Sequence, residues 1–502
     1  MLAQKFLFPG FRWFFRKKIN RAISELNQRL NVELRPFQLT KRQVLLDRLI
    51  HDAEILEFVQ QQSHQDEVPR EVLLEKVQGY AREIVPSFNA YVYYRFGFWL
   101  SKKLANMLYR IRVRVGKNDH IKNVSKDATV VFVMNHRSNM DYILVSFLVA
   151  EKMALSYAVG EWARVWPLRG LVKSMGAYFV RRNSRNPLYR KVLERYIDMA
   201  TREGVCQAVF PEGGLSRDGK IRAPKLGFLD YMLRHYDVDK DRDVVFIPVG
   251  INYDRVMEDK TLLLSLDKEA PRTSNWYAVK TTLGFIWNNL RLARKHRWQR
   301  FGFASVSFAE PISSRDYCIQ QKINFSNLDK NTRFNEVETF ANHLMKRVEK
   351  TIPVVPVALM CQVLTHNVSR ALSRCEAKTQ SRELMQAIEA QGGHIVFPHK
   401  DKAVALDAAI DRLLLRGLLK EVESLIPYKN LNALNTVGYK ELFNYFDSEW
   451  TLDFAISEIK KNTRRFAKRQ LTWFKRNEQT AWFDYSTDVK EIIEQLDKID
   501  NN

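Results

Sequence analysis

"ATVVFVMNHRSNMDYILVSFLV", residues 128–149, joins an apolar run to a short polar turn and then to a second apolar stretch. The run Ala128 to Met134 is rich in β-branched side chains and predicts a strand; its near-continuous apolarity fits a sheet covered on both faces. A strand that stops at a polar turn delivers side chains to the sheet's edge, where ligands of open α/β sheets bind. His136 sits at that turn, and Asp141, five positions on, falls in the first turns of the next helix, from where it can fold back on the ring. A carboxylate on one imidazole nitrogen fixes the tautomer and supports the positive charge that develops, and the other nitrogen can then take a proton from an alcohol. No G-x-S-x-G elbow occurs in the chain, so the pair would activate a substrate hydroxyl rather than an enzyme nucleophile. With ten histidines present, one such pair is weak by itself and must be read with its company.

The flanking sequence extends the pattern. Further short β-rich runs are "ALSYAVG" (154–160), "GAYFVRR" (176–182), "CQAVFPEG" (206–213), "DVVFIPVGIN" (243–252) and "GFASVSFAEPI" (302–312), with helical stretches such as "NPLYRKVLERYIDMATREG" between them. This alternation predicts an α/β fold, a sheet flanked by helices. Residues 1–118 read as an N-terminal helical domain. In it, Thr40 and Gln43 form a capping-box pattern, Leu45, Leu46, Leu49, Ala53 and Leu56 recur at helical spacing, and Asp66 to Gln78 predicts a helix with Pro69 in its first turn. The α/β domain spans 119–357, a helical extension 358–416, and a basic helical tail 417–502.

A chain of 502 residues is too long for one ordinary core. Its hydrophobic fraction of 46% and aromatic fraction of 12% exclude a disordered chain. The formal charge of +23, from 80 Lys+Arg against 57 Asp+Glu, favours anionic partners: nucleic acid, an anionic membrane face or phosphorylated small molecules. Cys206, Cys318, Cys361 and Cys375 form no C-x-x-C pair, which argues against zinc or a disulfide framework and fits a reducing compartment; no metal is expected. No secretory signal is visible, and no stretch reaches the roughly 20 apolar residues that span a bilayer. "KFLFPGFRWFFRKK" and "YVYYRFGFWLSKKLANMLYRIRVRV" mix aromatics with cations, a composition suited to the membrane interface and equally to a helical domain packing its own aromatics. The expectation is a soluble or surface-bound protein.

Four runs downstream of His136 add chemistry. One strand ends in Arg181 and Arg182. "VFPEGGLSRDGK" supplies Glu212, Gly213, Gly214, Ser216, Arg217 and Lys220, and "PKLG" adds Lys225. "VVFIPVGINY" carries Pro248. Glycines admit a close backbone approach to a ligand, and guanidinium groups grip phosphate as a fork. Cationic strand ends beside a base–acid pair describe a site for a phosphorylated alcohol.

The ordered blocks N-H-R-S-N-M-D, G-A-Y-F-V-R-R, F-P-E-G-G-x-S-R-D-G-K and V-F-I-P-V resemble the four blocks of the glycerolipid acyltransferases with a His-x4-Asp motif. Over residues 85–415 the resemblance is greatest to the bacterial membrane-associated sn-glycerol-3-phosphate 1-O-acyltransferases. It implies transfer of a fatty acyl group from a thioester, acyl-CoA or acyl carrier protein, to the sn-1 hydroxyl of glycerol 3-phosphate in phospholipid synthesis. It implies no cofactor, metal or covalent acyl-enzyme, and a peripheral location on the cytoplasmic face of an anionic membrane. By position, His136 is the general base and Asp141 its orienting partner. Arg182 and Arg217 would hold the acceptor phosphate, Glu212 and Gly213 would shape the acceptor pocket with Ser216 and Lys220 in the same block, and Pro248 lies in the block near the acyl chain. Leu215 departs from the pattern, because the glycerol-3-phosphate enzymes have Arg there; Lys220 or Lys225 would have to compensate. The departure keeps a 1-acylglycerol-3-phosphate acyltransferase, or use of dihydroxyacetone phosphate, open.

Residues 417–484 resemble the C-terminal part of the tRNA dimethylallyltransferases, most clearly in "NTVGYKELF" and "NTRRFAKRQLTWFKR". Lys460, Lys461, Arg464, Arg465, Lys468 and Arg469 recur at helical spacing, a pattern able to grip tRNA phosphates, with Phe466, Trp473 and Phe474 interleaved. That family's phosphate-binding loop, G-x-T-x-x-G-K-[ST], does not occur in the 502 residues, so prenyl transfer is not expected. A tRNA-binding protein with an idle α/β domain is the reading from a different class.

Overall fold

The computed structural model describes residues 36–115, 124–149, 153–160, 168–181, 184–258, 301–367, 370, 372–397, 402–429 and 436–474. It falls into two compact units, Met1–Ile410 and Asp411–Asn502, the division lying within the helix Lys402–Leu425.

The first unit is built on one sheet of eight strands: β1 (Arg110–Val115), β2 (Thr129–Met134), β3 (Ser156–Val159), β4 (Tyr178–Phe179), β5 (Gln207–Val209), β6 (Val244–Tyr253), β7 (Phe303–Phe308) and β8 (Ile312–Ser313). Their order is β1-β7-β6-β2-β5-β3-β4, with β8 also on β6. From β6 to β4 the pairs are parallel; β7 and β8 run antiparallel to β6, and β1 lies parallel to β7. The expected α/β architecture, a central sheet flanked by helices, is therefore present.

β2 explains why its sequence is apolar without alternation. All six of its residues are buried, and Val131 and Val133 join one core while Val130, Phe132 and Met134 join another. A strand covered on both faces has no solvent side on which to place polar residues. β6 divides likewise, with Val244 and Phe246 in the first core and Ile247, Val249 and Ile251 in the second. Pro248 sits within β6 opposite Val133, and its carbonyl accepts from Ala309 N–H at 2.9 Å. Its missing donor faces the gap between β7 and β8, where the ladder of β6 is interrupted anyway, which is how a proline is tolerated inside a sheet.

Helices α1 (Arg42–Ile50), α2 (Ala53–Asp66), α3 (Arg70–Ile84), α4 (Phe98–Leu108), α5 (Met140–Val149), α6 (Pro187–Arg202), α7 (Gly227–Leu233) and α8 (Lys330–Thr351) lie around this sheet. α6 starts where its sequence says it should: Asn186 accepts from Tyr189 N–H at 2.9 Å, and Pro187 occupies the first helical position, where no amide partner is needed. Leu45, Leu46, Leu49, Ile55 and Val59 of α1 and α2 are buried in the same core as Val131 and Val133. The N-terminal helices thus complete the sheet's core instead of closing one of their own.

The structure departs from the sequence reading in three places. Residues 110–115, assigned to the helical domain, form β1; "RIRVRV" alternates with period two, which a helix cannot use to bury one face. The Thr40–Gln43 capping box does not form, because α1 begins after Lys41 and the Thr40 hydroxyl donates to Pro36 O at 2.8 Å. Asp52 is the working cap in this region, accepting from Glu54 and Ile55 N–H while binding Arg195 through both oxygens. The helix placed at Asp66 to Gln78 is two helices, with Asp66 ending α2 and Pro69 capping α3.

Gly250 in β6 allows the end of α8 to approach. A Cβ there would lie 2.5 Å from the backbone of Thr351 and Ile352, atoms that cannot rotate away. Gly250→Ala is expected to destabilise the first unit by about 1–3 kcal/mol, seen as a lower urea midpoint at unchanged m-value.

Candidate functional site

β2 ends at Met134 and α5 begins at Met140, so the turn between them carries His136 to the end of the sheet's central strand. His136 Nδ1 lies 2.9 Å from Asp141 Oδ2. The same oxygen accepts from the Arg137 N–H at 2.7 Å and the Ser138 N–H at 3.0 Å. The Tyr253 hydroxyl donates to Asp141 Oδ1 at 2.6 Å. Asp141 is fully buried, and these donors are what make a buried carboxylate tolerable there. An ionised carboxylate only accepts, so the geometry puts the imidazole proton on Nδ1 and leaves the Nε2 lone pair free. Nε2 is buried and has no hydrogen-bond partner among the described residues. The ring packs on Phe210 at 4.2 Å and against Tyr142 at 5.3 Å.

The turn is held from beneath. Glu212, buried, accepts from the His136 N–H at 2.9 Å and the Arg222 N–H at 3.3 Å; burial pushes its carboxyl above the usual range, with these donors opposing. Ser216 donates its N–H to His136 O at 2.9 Å and its hydroxyl to Lys220 O at 2.9 Å. Arg137 reaches Gly219 O. The Glu212–Lys220 loop is therefore fastened to the histidine turn chiefly through main-chain groups.

His136 lines a cavity of about 550 Å³ whose walls include Tyr142, Tyr189, Phe210, Gly213 and Phe228. Among the described residues four cations border it. Arg181 is engaged with Glu83 at 2.8 and 3.0 Å and lies over the rings of Tyr80 and Tyr189. Arg234 pairs with Glu194 and Asp230, and Arg190 donates to Ser184 O at 2.7 Å. The Lys225 ammonium has no partner among the described residues. Gly213 has φ +69°, and a Cβ on it would meet the Lys225 side chain at 2.5–3.1 Å, so only glycine lets this lysine lie across the loop.

Of the residues singled out in the sequence, His136, Asp141, Glu212, Gly213 and Ser216 come together, but Glu212 and Ser216 support the turn instead of facing the cavity lining. Arg217 and Lys220 are exposed on the loop outside that lining, and Pro248 lies within β6. Arg182 lies outside the described residues. Leu215 is half-buried and is not a lining residue. Sequence reasoning missed Tyr253 and Glu258, whose only signal was their place just after the "FIPVGIN" strand.

One group of side chains has metal-ligand types: Glu54, Glu194 and His235, with ligand atoms within 4.8 Å of one another. Lys191 bridges both carboxylates at 2.8 and 2.9 Å, Arg195 holds Glu54 at 2.6 Å and Arg234 holds Glu194 at 2.5 Å. Lys191, Arg195 and Arg234 occupy both carboxylates, and Arg195 and Arg234 carry this pairing on to Asp52, Asp198 and Asp230, so the cluster is an ion-pair network.

This is the setting in which similarity to known proteins takes on meaning. Residues 112–252 match the family model described as Acyltransferase. The chain is 25% identical over 412 residues to the glycerol-3-phosphate acyltransferase of Xylella fastidiosa, covering 80% of this chain and 46% of that protein. It is 26% identical over 476 residues to the glycerol-3-phosphate acyltransferase of Ectopseudomonas mendocina, covering 92% of this chain and 55% of that one. Residues 315–477 match the IPP transferase model, and 91 residues are 66% identical to the tRNA dimethylallyltransferase of Flavobacterium johnsoniae, 18% of this chain and 29% of that protein. The chain thus spans about half the length of the acyltransferases and under a third of the tRNA enzyme.

The second unit has a small core of its own. In α9 (Tyr439–Phe446) and α10 (Leu452–Phe474), Leu442, Phe443 and Ala455 are buried together. Glu441 caps α9 by accepting from Gly438 N–H at 2.7 Å and takes Asn462 Nδ2 at 2.8 Å, which ties "NTVGYKELF" to α10. Every residue from 463 to 472 is exposed, including Arg464, Arg465, Lys468 and Arg469.

Proposed function

We propose that the acyltransferase domain transfers a fatty acyl group from an acyl thioester, acyl-CoA or acyl carrier protein, to the sn-1 hydroxyl of glycerol 3-phosphate, giving lysophosphatidic acid for phospholipid synthesis. The observation that carries the reading is the His136–Asp141 pair, whose Nε2, with no hydrogen-bond partner among the described residues, belongs to a side chain lining the cavity. Nε2 takes the acceptor's hydroxyl proton as its oxygen attacks the thioester carbonyl. The tetrahedral intermediate collapses with breakage of the C–S bond, and the departing thiolate takes the proton back from the imidazolium. Asp141 stabilises the cation in between. The step needs no cofactor beyond the thioester substrate.

Lys225 is the cation that best suits the acceptor phosphate: it borders the cavity and no carboxylate among the described residues holds it. It supplies the charge that Leu215 does not, and Arg182 and Arg217 remain further candidates. His136→Ala should lower turnover by about 10²–10⁴-fold. Lys225→Met should raise the acceptor KM about tenfold or more with kcat little changed, as loss of a charged hydrogen bond of about 1.5–3 kcal/mol requires. Unchanged turnover in the first variant removes the base assignment. Preference for a monoacylated acceptor in a panel redirects the reading to a 1-acylglycerol-3-phosphate acyltransferase.

Two binding readings accompany this one. Trp99, Lys102 and Lys103 are exposed at helical i, i+3, i+4 spacing on α4, with the Lys103 ammonium 4.8 Å from the Trp99 ring. No helix among the described residues is long and apolar enough to cross a membrane. This face supports peripheral docking on the anionic cytoplasmic side of a membrane. Co-sedimentation with phosphatidylglycerol vesicles is expected at low salt and should be lost with neutral vesicles. The exposed cations of α10 support tRNA binding. Full-length protein should bind tRNA with log Kobs falling linearly in log salt, and Arg464→Glu with Arg465→Glu should flatten that slope; an unchanged slope counts against the tail.

A further inference from the structure

Three contacts fasten the histidine turn to the end of β6 and the residues after it. The Asn135 amide donates to Ile251 O at 2.9 Å and accepts from Ile251 N–H at 2.8 Å. The Tyr253 hydroxyl donates to Asp141 Oδ1. The Glu258 carboxylate accepts from the Ser138 hydroxyl at 2.7 Å and the Asn139 N–H at 3.0 Å. Each joins residues at least 112 positions apart in sequence, so the turn's shape is set by the sheet and not by local preference.

The two oxygens of Asp141 are used differently. Oδ2 takes the imidazole and two main-chain donors, while Oδ1 takes Tyr253. Rotation about Cβ–Cγ would exchange them and move the acceptor out of line with Nδ1. A hydroxyl on Oδ1 opposes that rotation. The Tyr253 ring is buried and packs against Tyr109 at 5.1 Å, so its hydroxyl cannot swing aside. Burial and the neighbouring carboxylate push its phenol well above the ordinary range, which keeps the proton on oxygen and the group a donor.

We propose that Tyr253 is a positioning residue for acyl transfer: by fixing Asp141 Oδ1 it keeps Oδ2 on His136 Nδ1 and so keeps Nε2 presented to the acceptor hydroxyl. Glu258 steadies the opposite side of the same turn. The effect on rate rests on the acyltransferase reading; the effect on the histidine hydrogen bond does not.

Tyr253→Phe removes the donor and keeps the ring's packing. The expected result is a kcat about tenfold lower, part of the ~10²–10⁴-fold that general acid–base catalysis supplies, with both KM values nearly unmoved. The His136 Nδ1 proton, held against Asp141, should give a low-field proton resonance in the substrate-free protein, assigned by its disappearance in His136→Gln. In Tyr253→Phe that resonance should move and exchange with water several-fold faster. A resonance unchanged in position and exchange overturns the proposal, as does an unchanged kcat in an active enzyme. If the variant fails to fold, 3-fluorotyrosine at position 253 keeps the hydroxyl and strengthens its donation; the resonance must still shift, and a fixed one overturns the proposal. A wild-type protein inactive towards every acceptor, yet with a resonance that responds to Tyr253→Phe, overturns the functional reading and upholds the clamp.

Discussion

The structure turns on one buried carboxylate. Asp141 is fully buried, and four protein donors solvate it: an imidazole, two amides of the turn and a phenol from another strand. Leaving any of these donors unmatched costs on the order of 1–3 kcal/mol. The carboxylate therefore ties the path of the chain from 136 to 141 to the orientation of the histidine ring, and ties both to β6. Stability and chemistry share the same hydrogen bonds here.

β6 is the partner of that turn because of where the sheet puts it. It pairs with β2 in register from Thr129–Val244 to Met134–Val249. Once β2 has ended at Met134, β6 continues to Tyr253 and lies alongside the turn. Both strands are sealed on each face, so neither can slide by a residue without turning a set of apolar side chains the wrong way. Of the helices before the sheet, α1, α2 and α3 contribute to one of these cores and α4 to the other, and the ions of Asp52, Glu54, Lys191, Arg195 and Glu194 bind α2 to α6. The cavity beside His136 also draws wall residues from α6 and α7.

Much of this was legible in the chain. The apolar run 128–134, the polar turn and the five-residue offset of His136 and Asp141 state their own geometry, since a strand, a turn and a helix start can close that offset in few ways. The helical stretch that forms α6 was equally plain. β1 was not, because "RIRVRV" follows an aromatic-rich helix without a break and its period-two pattern is only three repeats long. The glycine-rich block 212–220 was legible but not in its job: charged and small residues suggested ligand contacts, whereas Glu212 and Ser216 bond mostly to main chain, which leaves no trace in side-chain spacing.

The sequence by itself determined the alternation of strands and helices, the paired imidazole and carboxylate, and the basic tail, because each depends on residues close together in the chain. Only the tertiary structure decided that Tyr253 and Glu258 hold the turn, that Arg181 is occupied by Glu83 and that Lys225 borders the cavity with no partner among the described residues. Those outcomes depend on side chains brought together from distant segments, and on which opposite charge arrives first within hydrogen-bond reach. Local sequence carries no information about a neighbour a hundred residues away; the packing of β6 beside β2 supplies it.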